Sequence, residues 1–492
     1  MEERKKLNKT LKQHWVWAIA LGSSIGWGAF VQPTDWLGQA GPMGVIIGFT
    51  IGALLMMLIA VSYGILVQNF PVSGGEFAYA YVSLGRVHAF ICGWFLTLGY
   101  ICIVALNVSA FALMFKFVFP SFVENLQMYQ LAGWDVYLVE VIIAAVTLGI
   151  FAWFNIRDTG LSGSMQFYFC VIMIAGVLLL TFLVGASPEA GLENVKPLFH
   201  PGMSSMAAII SIVAISPWAF VGFDNVPQAA EEFNFSSQKA FGLIIFALIA
   251  AALLYSFMII VTSMTQPWVD LVDKHYLWGT AVAIKGVLGN AGLIILVVAL
   301  TMGIFTGLNG FIISSSRLLF AMSRAKVIPK AFSKLHPKYK TPYVGIIFTV
   351  VLAMLAPWFG REVLMWIVDM SSIGVSIAYL YTCFTAYTFF KWSKNGVLND
   401  KQQAAPLKKL LALVGIIASV VFIGLLLVPG SPAALGKESL IALIVWVVLG
   451  VVFYLFKYKE YHAIPKGELD YLILGEHGKN TIDEEAATQH IE

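Results

Sequence analysis

Charge is what this chain has least of. Only 12% of its 492 residues are Asp, Glu, Lys or Arg, against 59% hydrophobic ones, and the mean hydropathy is +0.83. Soluble domains carry about 25% charged residues, so this composition belongs to an integral membrane protein. A net charge of +3 is too small to attract nucleic acid, and no nucleic-acid partner is expected. Cysteine is scarce as well. Cys92, Cys102, Cys170 and Cys383 all fall in apolar runs without CxxC spacing, which points to buried free thiols rather than a redox or metal centre. The HExxH signature and the Walker A loop are missing, and Gly475-Glu476-His477-Gly478-Lys479-Asn480 has the wrong spacing for the latter. Neither a membrane peptidase nor an ATP-driven pump is indicated, and the chain is not expected to be an enzyme. There is also no repeated polar filter or charged ring of the kind a channel uses. Met1 to Lys12 is polar and basic, and no small-residue cleavage pattern follows, so no removable signal peptide is expected.

What is there is apolar sequence in membrane-length runs. About twelve can be marked, near 14–31, 42–68, 88–118, 136–154, 163–185, 205–222, 240–264, 280–318, 343–358, 364–390, 410–428 and 439–456. The expected fold is an all-α integral membrane protein of about twelve transmembrane helices in a lipid bilayer. Placing the N-terminus in the cytoplasm leaves only Lys116, Lys196, Lys274, Lys285, Arg361 and Lys437 of the 30 basic residues on the far side. That bias puts both termini in the cytoplasm of a multi-pass cell-membrane protein. The stretch after Lys457 is polar, ends in the acidic run Asp483-Glu484-Glu485, and is expected to be mobile.

The first run carries the most informative anomaly. Gly22-Ser23-Ser24-Ile25-Gly26-Trp27-Gly28-Ala29-Phe30 holds three helix-weakening glycines in seven residues, and Pro33 follows. Each glycine costs a helix interior about 1 kcal/mol relative to alanine, so the segment is expected to unwind at membrane depth. Unwound backbone is tolerated there only when it lines a cavity or is buried in protein. The sixth run repeats the pattern. Gly222 precedes Pro227 by five residues, as Gly28 precedes Pro33. Spans one and six are an odd number apart, so the two units cross the membrane in opposite senses. Broken helices at matching positions of inverted halves point to a transporter site. The expected organisation is a cytoplasmic N-terminus (1–13), a first repeat of five spans (14–190), an inverted second repeat (205–392), two added spans (408–456) and a cytoplasmic tail (457–492).

Five stretches resemble the amino acid–polyamine–organocation permeases, whose fold is the 5+5 inverted repeat with broken helices 1 and 6. Gly22 to Phe30 resembles the GxxIGxGxF break of the first helix. Phe70-Pro71-Val72-Ser73-Gly74-Gly75-Glu76-Phe77-Ala78-Tyr79 resembles FPxSGGxYxY after the second, and Ala89-Phe90-Ile91-Cys92-Gly93-Trp94 resembles the start of the third. Phe220-Val221-Gly222-Phe223-Asp224, with Ala230-Glu231-Glu232, resembles the sixth-helix break. Ser316 to Arg324 with Pro329 resembles the end of the eighth.

The resemblance implies a secondary transporter, permease or exchanger, for an amino acid or related small amine, working by alternating access. A transporter-like sensor that binds without translocating is the alternative. It implies that a substrate carboxylate meets backbone N–H groups at Ser24, Gly26, Trp27 and Gly28, a helix-terminus anion site. The substrate ammonium would meet carbonyls at Trp218, Ala219 and Val221. Trp218 is similar to an aromatic gate in the arginine–agmatine exchangers, and Phe311 to an aromatic pocket wall. Trp27 departs from the family, which usually has a small residue there; its indole either enters the pocket or packs between helices. Asp224, an acid near the midplane, could bind a cation, take up a proton, close a gate or cap the second half-helix. Glu231 and Glu232 read as solvated or gate-pairing, Glu140 and Asp369 as interfacial, Arg317 and Arg324 as ordinary positive-inside residues. No cofactor is expected. The coupling ion, H+ or Na+, or exchange without one, stays open: Ser23, Thr301, Thr306 and Asn309 could serve sodium, Asn309 as a gating or coupling residue, and the fifth span contains no lysine. The partners would be a small-molecule substrate and the bilayer, in a monomer or homodimer.

Overall fold

The computed structural model describes residues 4–131, 134–157, 159–360, 362–392, 406–431 and 433–475. The acidic run 483–485 and residues 393–405, with Lys394 and Lys401, lie outside these. Among the described residues, nine helices are long and apolar enough to cross a membrane, and two shorter apolar helices, Ser205–Ala214 and Tyr343–Ala353, accompany them. The long ones include Pro33–Asn69, Arg86–Val118, Ala240–Met264, Gly279–Arg324 and Glu362–Trp392. These enclose the interrupted first and sixth segments. Helices Pro406–Leu427 and Lys437–His462 lie at the periphery. There Val420, Val421, Ile441, Val445 and Phe456 are exposed, as side chains facing lipid rather than water would be.

The first segment is a helix, Gln13–Ile25, that stops inside the protein. Gly26 then takes a left-handed φ of +49°, and a turn at Gly28–Val31 restarts the helical path. The expected end of this segment near 31 is corrected. Pro33 opens the next helix at a first-turn position, where its missing N–H costs nothing, and the bend comes at Gly41. The sixth segment breaks in pieces: Ser205–Ala214, a turn at Ser216–Ala219, non-helical backbone to Asp224, and a turn at Asn225–Gln228.

Two further expectations change. The fold is not purely helical: Gln127–Leu131 and Trp134–Tyr137 pair as an antiparallel hairpin between the third and fourth spans. The stretch after Lys457 is not mobile as far as residue 475. The last span continues to His462, and a helix at Lys466–Leu474 packs back onto the protein. Arg86 donates to the carbonyls of Tyr461 and Ile464, and Tyr81 donates to Asp470. Hydrogen bonds to distant spans order a segment whose composition alone reads as unstructured.

Candidate functional site

The two breaks touch. Gly222, at φ +131°, lies so close to the first break that a Cβ there would sit 2.5 Å from the Ser24 nitrogen. Only glycine allows this backbone shape and this approach. The eighth span is equally bare where it meets the first. A Cβ on Gly303 would sit 2.3 Å from the Gly26 carbonyl oxygen, and one on Gly310 would strike the Ser23 hydroxyl. Gly303, Gly307 and Gly310 form a small-residue face at i, i+4, i+7, the spacing that lets membrane helices approach closely.

Hydrogen bonds lock the breaks to each other. The Tyr255 hydroxyl stands 2.8 Å from the Ser24 carbonyl oxygen and 2.7 Å from that of Ala219, donating to either. The Ser24 hydroxyl is within reach of the Ala20 and Phe220 carbonyls, at 2.9 and 3.0 Å. Ser24 also closes a literal Gly-x-Ser-x-Gly, Gly22 to Gly26. A nucleophile elbow needs a preceding strand and a base, whereas here a helix precedes and the serine donates to carbonyls.

A hollow of about 20 Å³ remains between the breaks, lined by Ser24, Gly26, Trp27, Gly28, Trp218 and Val221 together with Ile103, Asn107 and Tyr255. Ser23 lines it as well, so seven of the residues singled out from sequence meet at one place. Ala219 lies just behind, its carbonyl engaged by Tyr255. Phe311 does not line the hollow; it packs on Tyr100, ring centroids 5.6 Å apart. The Gly26 N–H is also committed, donating to Gly22 O at 3.0 Å. The turn that follows starts at Gly28, and its first N–H groups have no partner within the helix.

Trp27 faces the pocket rather than helix packing. It meets Trp218 edge to face, centroids 6.0 Å apart, and both indoles also line a second cavity of about 640 Å³. That vestibule runs past Gln32, Asp35, Trp278 and Asp369, away from the face that carries residues 4 and 475. The tryptophan pair is thus the partition between vestibule and hollow.

On the opposite side the route is shut by ion pairs. Glu231 accepts from Arg324 (3.0 Å) and Arg4 (3.1 Å), and Glu232 from Arg317 (2.7 Å), all of them buried. Thr10 and Leu11 donate backbone N–H groups to the Glu232 carbonyl, lacing the N-terminal segment across the end of the broken sixth span. Arg317 and Arg324 are therefore not ordinary solvated positive-inside residues, and Glu231 and Glu232 are not solvated. Burial alone would raise the Glu231 pKa. The guanidinium groups of Arg324 and Arg4 outweigh it and hold this carboxyl below the usual carboxylate range.

Asp224 is sealed from solvent and bridges. Its Oδ1 accepts the Gly222 N–H at 2.7 Å and its Oδ2 the Tyr100 hydroxyl at 2.8 Å, so it pins the break to the third span. The turn that follows takes no side-chain cap from it. Asn309 is the centre of an amide knot. It accepts from Asn155 (2.9 Å) and Ser162 (2.7 Å) and donates to Gln166, which donates in turn to the carbonyls of Ala18 and Thr306. Thr301 bonds its own helix at Val297, and Thr306 bonds Gly303 and Gly22. Glu140 pairs with Lys116, and Asp369 accepts from Ser439. Tyr100, Tyr255 and Gln166 were not singled out from sequence, because each acts on a residue more than a hundred positions away.

A backbone-lined hollow thus lies between two touching breaks, separated from the vestibule by the tryptophan pair and from the opposite face by buried ion pairs. A family model described as amino acid permease matches residues 11–452. The chain belongs to the amino acid permease family. It is 26% identical over 478 residues to the branched-chain amino acid permease of Bacillus subtilis (strain 168), covering 93% of this chain and 95% of that protein. It is 25% identical over 485 residues to the aromatic amino acid transport protein of Escherichia coli (strain K12), covering 93% and 97%. A methylthioribose transporter of Bacillus subtilis is 28% identical over 384 residues, covering 75% and 79%. The similar proteins are transporters rather than enzymes, and this permease is a multi-pass membrane protein.

Proposed function

We propose that this permease takes up a neutral, apolar α-amino acid by alternating access, through twelve spans arranged as two inverted repeats of five plus two. The single observation that carries the reading is the closure of both broken segments on one hollow, at Gly222 and Ser24. The substrate carboxylate sits at the opening N–H groups of the Gly28 turn, with the positive end of that half-helix behind them. Its ammonium sits toward carbonyls of the sixth break at Trp218 and Val221. Ile103, Leu106 and Val221 give the side chain an apolar wall with no acid to bind a basic group. Trp27 and Trp218 limit its length. The branched-chain amino acid permease among the similar proteins agrees with this substrate class.

In this reading the face that carries residues 4 and 475 is cytoplasmic, so the vestibule opens outward and the Glu231–Arg324 side is the inner closure. Of the four sodium candidates only the Ser23 hydroxyl lacks a partner; Thr301, Thr306 and Asn309 are each committed to other groups, and one hydroxyl alone is too few ligands for sodium, which supports a sodium-independent cycle. Uptake of labelled leucine into proteoliposomes tests the proposal. Saturable uptake without sodium is the expected result; saturable binding with neither uptake nor exchange would mean a sensor instead.

A further inference from the structure

One buried acid takes no part in the site described above. Glu76 opens the short helix Gly75–Leu84, between the second and third spans, and is sealed from solvent. Its Oε2 accepts a hydrogen bond from the Gln228 amide, in the turn directly after Asp224. Its Oε1, equally sealed, takes no hydrogen bond of normal geometry, and neither does the Tyr63 hydroxyl that faces the carboxyl. The titratable groups within electrostatic reach are Tyr63, Tyr79, Cys92, Tyr100, Tyr379 and Asp224. None is a cation. Among the described residues, no Lys, Arg or His forms an ion pair with Glu76 or Asp224, whereas Glu231 and Glu232 each have an arginine.

Two carboxyls that sense each other in a dry pocket without a cation cannot both be ionised. The distribution of donors decides which one is neutral. Asp224 accepts a backbone N–H and a phenol, both of which favour its anion. Glu76 accepts one amide N–H of normal direction, and the Tyr63 hydroxyl faces its other oxygen without completing a hydrogen bond of normal geometry, so Glu76 is the less well solvated carboxyl and holds the proton.

We propose that Glu76 is a proton-binding site that couples transport to the proton gradient, occupied while the inner side is closed and emptied when the sixth segment swings away. The proposal rests on the transport reading given above and adds the ion. Its logic is mechanical. Glu76 belongs to the helix packed on the third span, while Gln228 and Asp224 belong to the broken sixth. Opening the inner side pulls these apart, removes the neighbouring negative charge, and lets water reach Glu76. The carboxyl then ionises and its proton leaves toward the face that carries residues 4 and 475; for coupling, the proton that replaces it is taken up from the vestibule side before the inner side opens again.

The test uses the full-length protein in proteoliposomes with L-leucine as probe. Net uptake is driven by an acid exterior, and leucine–leucine counterflow is measured without a gradient. One pH unit can support at most about tenfold accumulation per proton carried. For Glu76→Gln, acid-driven accumulation should fall to the no-gradient level while counterflow stays within about twofold, since the neutral amide mimics a permanently protonated site. Acid-driven accumulation surviving in that variant would overturn the assignment. If the variant does not fold, the unaltered protein decides: leucine addition should alkalinise the outer medium. Counterflow without alkalinisation would remove the proton site and leave the transport reading standing, whereas absence of counterflow would remove both.

Discussion

The two closures of the central hollow are built from opposite chemistry. On the side proposed as outer, two tryptophans meet edge to face, a contact worth about 0.5–1.5 kcal/mol beyond its burial. On the side proposed as inner, two glutamates and three arginines are buried together, and the N-terminal segment is laced over them by backbone hydrogen bonds. An aromatic partition separates with little loss because each indole can find another apolar or polar contact. A buried ion pair cannot: parting it in a dry site leaves a charge without a counterion. Parting the ion-paired side therefore costs more than parting the tryptophans unless water or another charge replaces the lost partner.

The largest expected effect follows from breaking the inner set. Arg324→Ala leaves Glu231 with Arg4 alone, and removing one partner of a buried pair costs about 3–5 kcal/mol. The inner closure should loosen, with faster hydrogen exchange over residues 4–11 and 228–236; unchanged exchange there would show that the arginine is not what holds this side. Next comes Gly222→Ala. The new Cβ meets Ser24 backbone at 2.5 Å and the φ of +131° strains any other residue, so about 3 kcal/mol and an uptake loss on the order of hundredfold are expected. Near-normal uptake by this variant would mean that the breaks need not touch. A smaller loss is expected for Tyr255→Phe, which removes one hydroxyl shared by Ser24 and Ala219. The cost is about 1 kcal/mol, read as a several-fold drop in kcat/KM for leucine.

These effects divide along the line between what is local and what is not. The breaks are legible because a helix interrupted at depth needs glycine, and the glycines at 26, 28 and 222 stand in the sequence at matching places. The inner closure is not legible in the same way. A charge at the end of an apolar run reads as solvated, and only the fold shows that Arg317 and Arg324 turn inward to acids of a different span. Asp224 announces itself by its cost, but its partner Tyr100 is one of 18 tyrosines and carries no local mark. Pro33 misleads because proline ends helices and also begins them. The hairpin at Gln127–Tyr137 is too short for its alternation to stand out, and the helix at Lys466–Leu474 is held by Arg86 and Tyr81 side chains that lie far away in sequence.

The smallest expected effect is also the sharpest divider between the two kinds of buried acid. Glu231 has its pKa held below the usual range once folded, by Arg324 and Arg4 against the opposing effect of burial. A depressed folded value means that the stabilisation is fully present above the unfolded carboxylate pKa and fades only as pH falls through the folded one. Between about pH 5 and 8 the ion-paired closure should therefore be indifferent to pH, since an ordinary glutamate titrates near 4.3. Hydrogen exchange over residues 228–236, corrected for the intrinsic rate, checks this directly in Glu76→Gln, where the cation-free acid has been neutralised. A flat profile there, against a sloping one in the unaltered protein, would assign all neutral-range pH sensitivity to the pocket that has no arginine. A slope surviving in the variant would place a titrating group within the inner closure itself, and the contrast between paired and unpaired acids would fail.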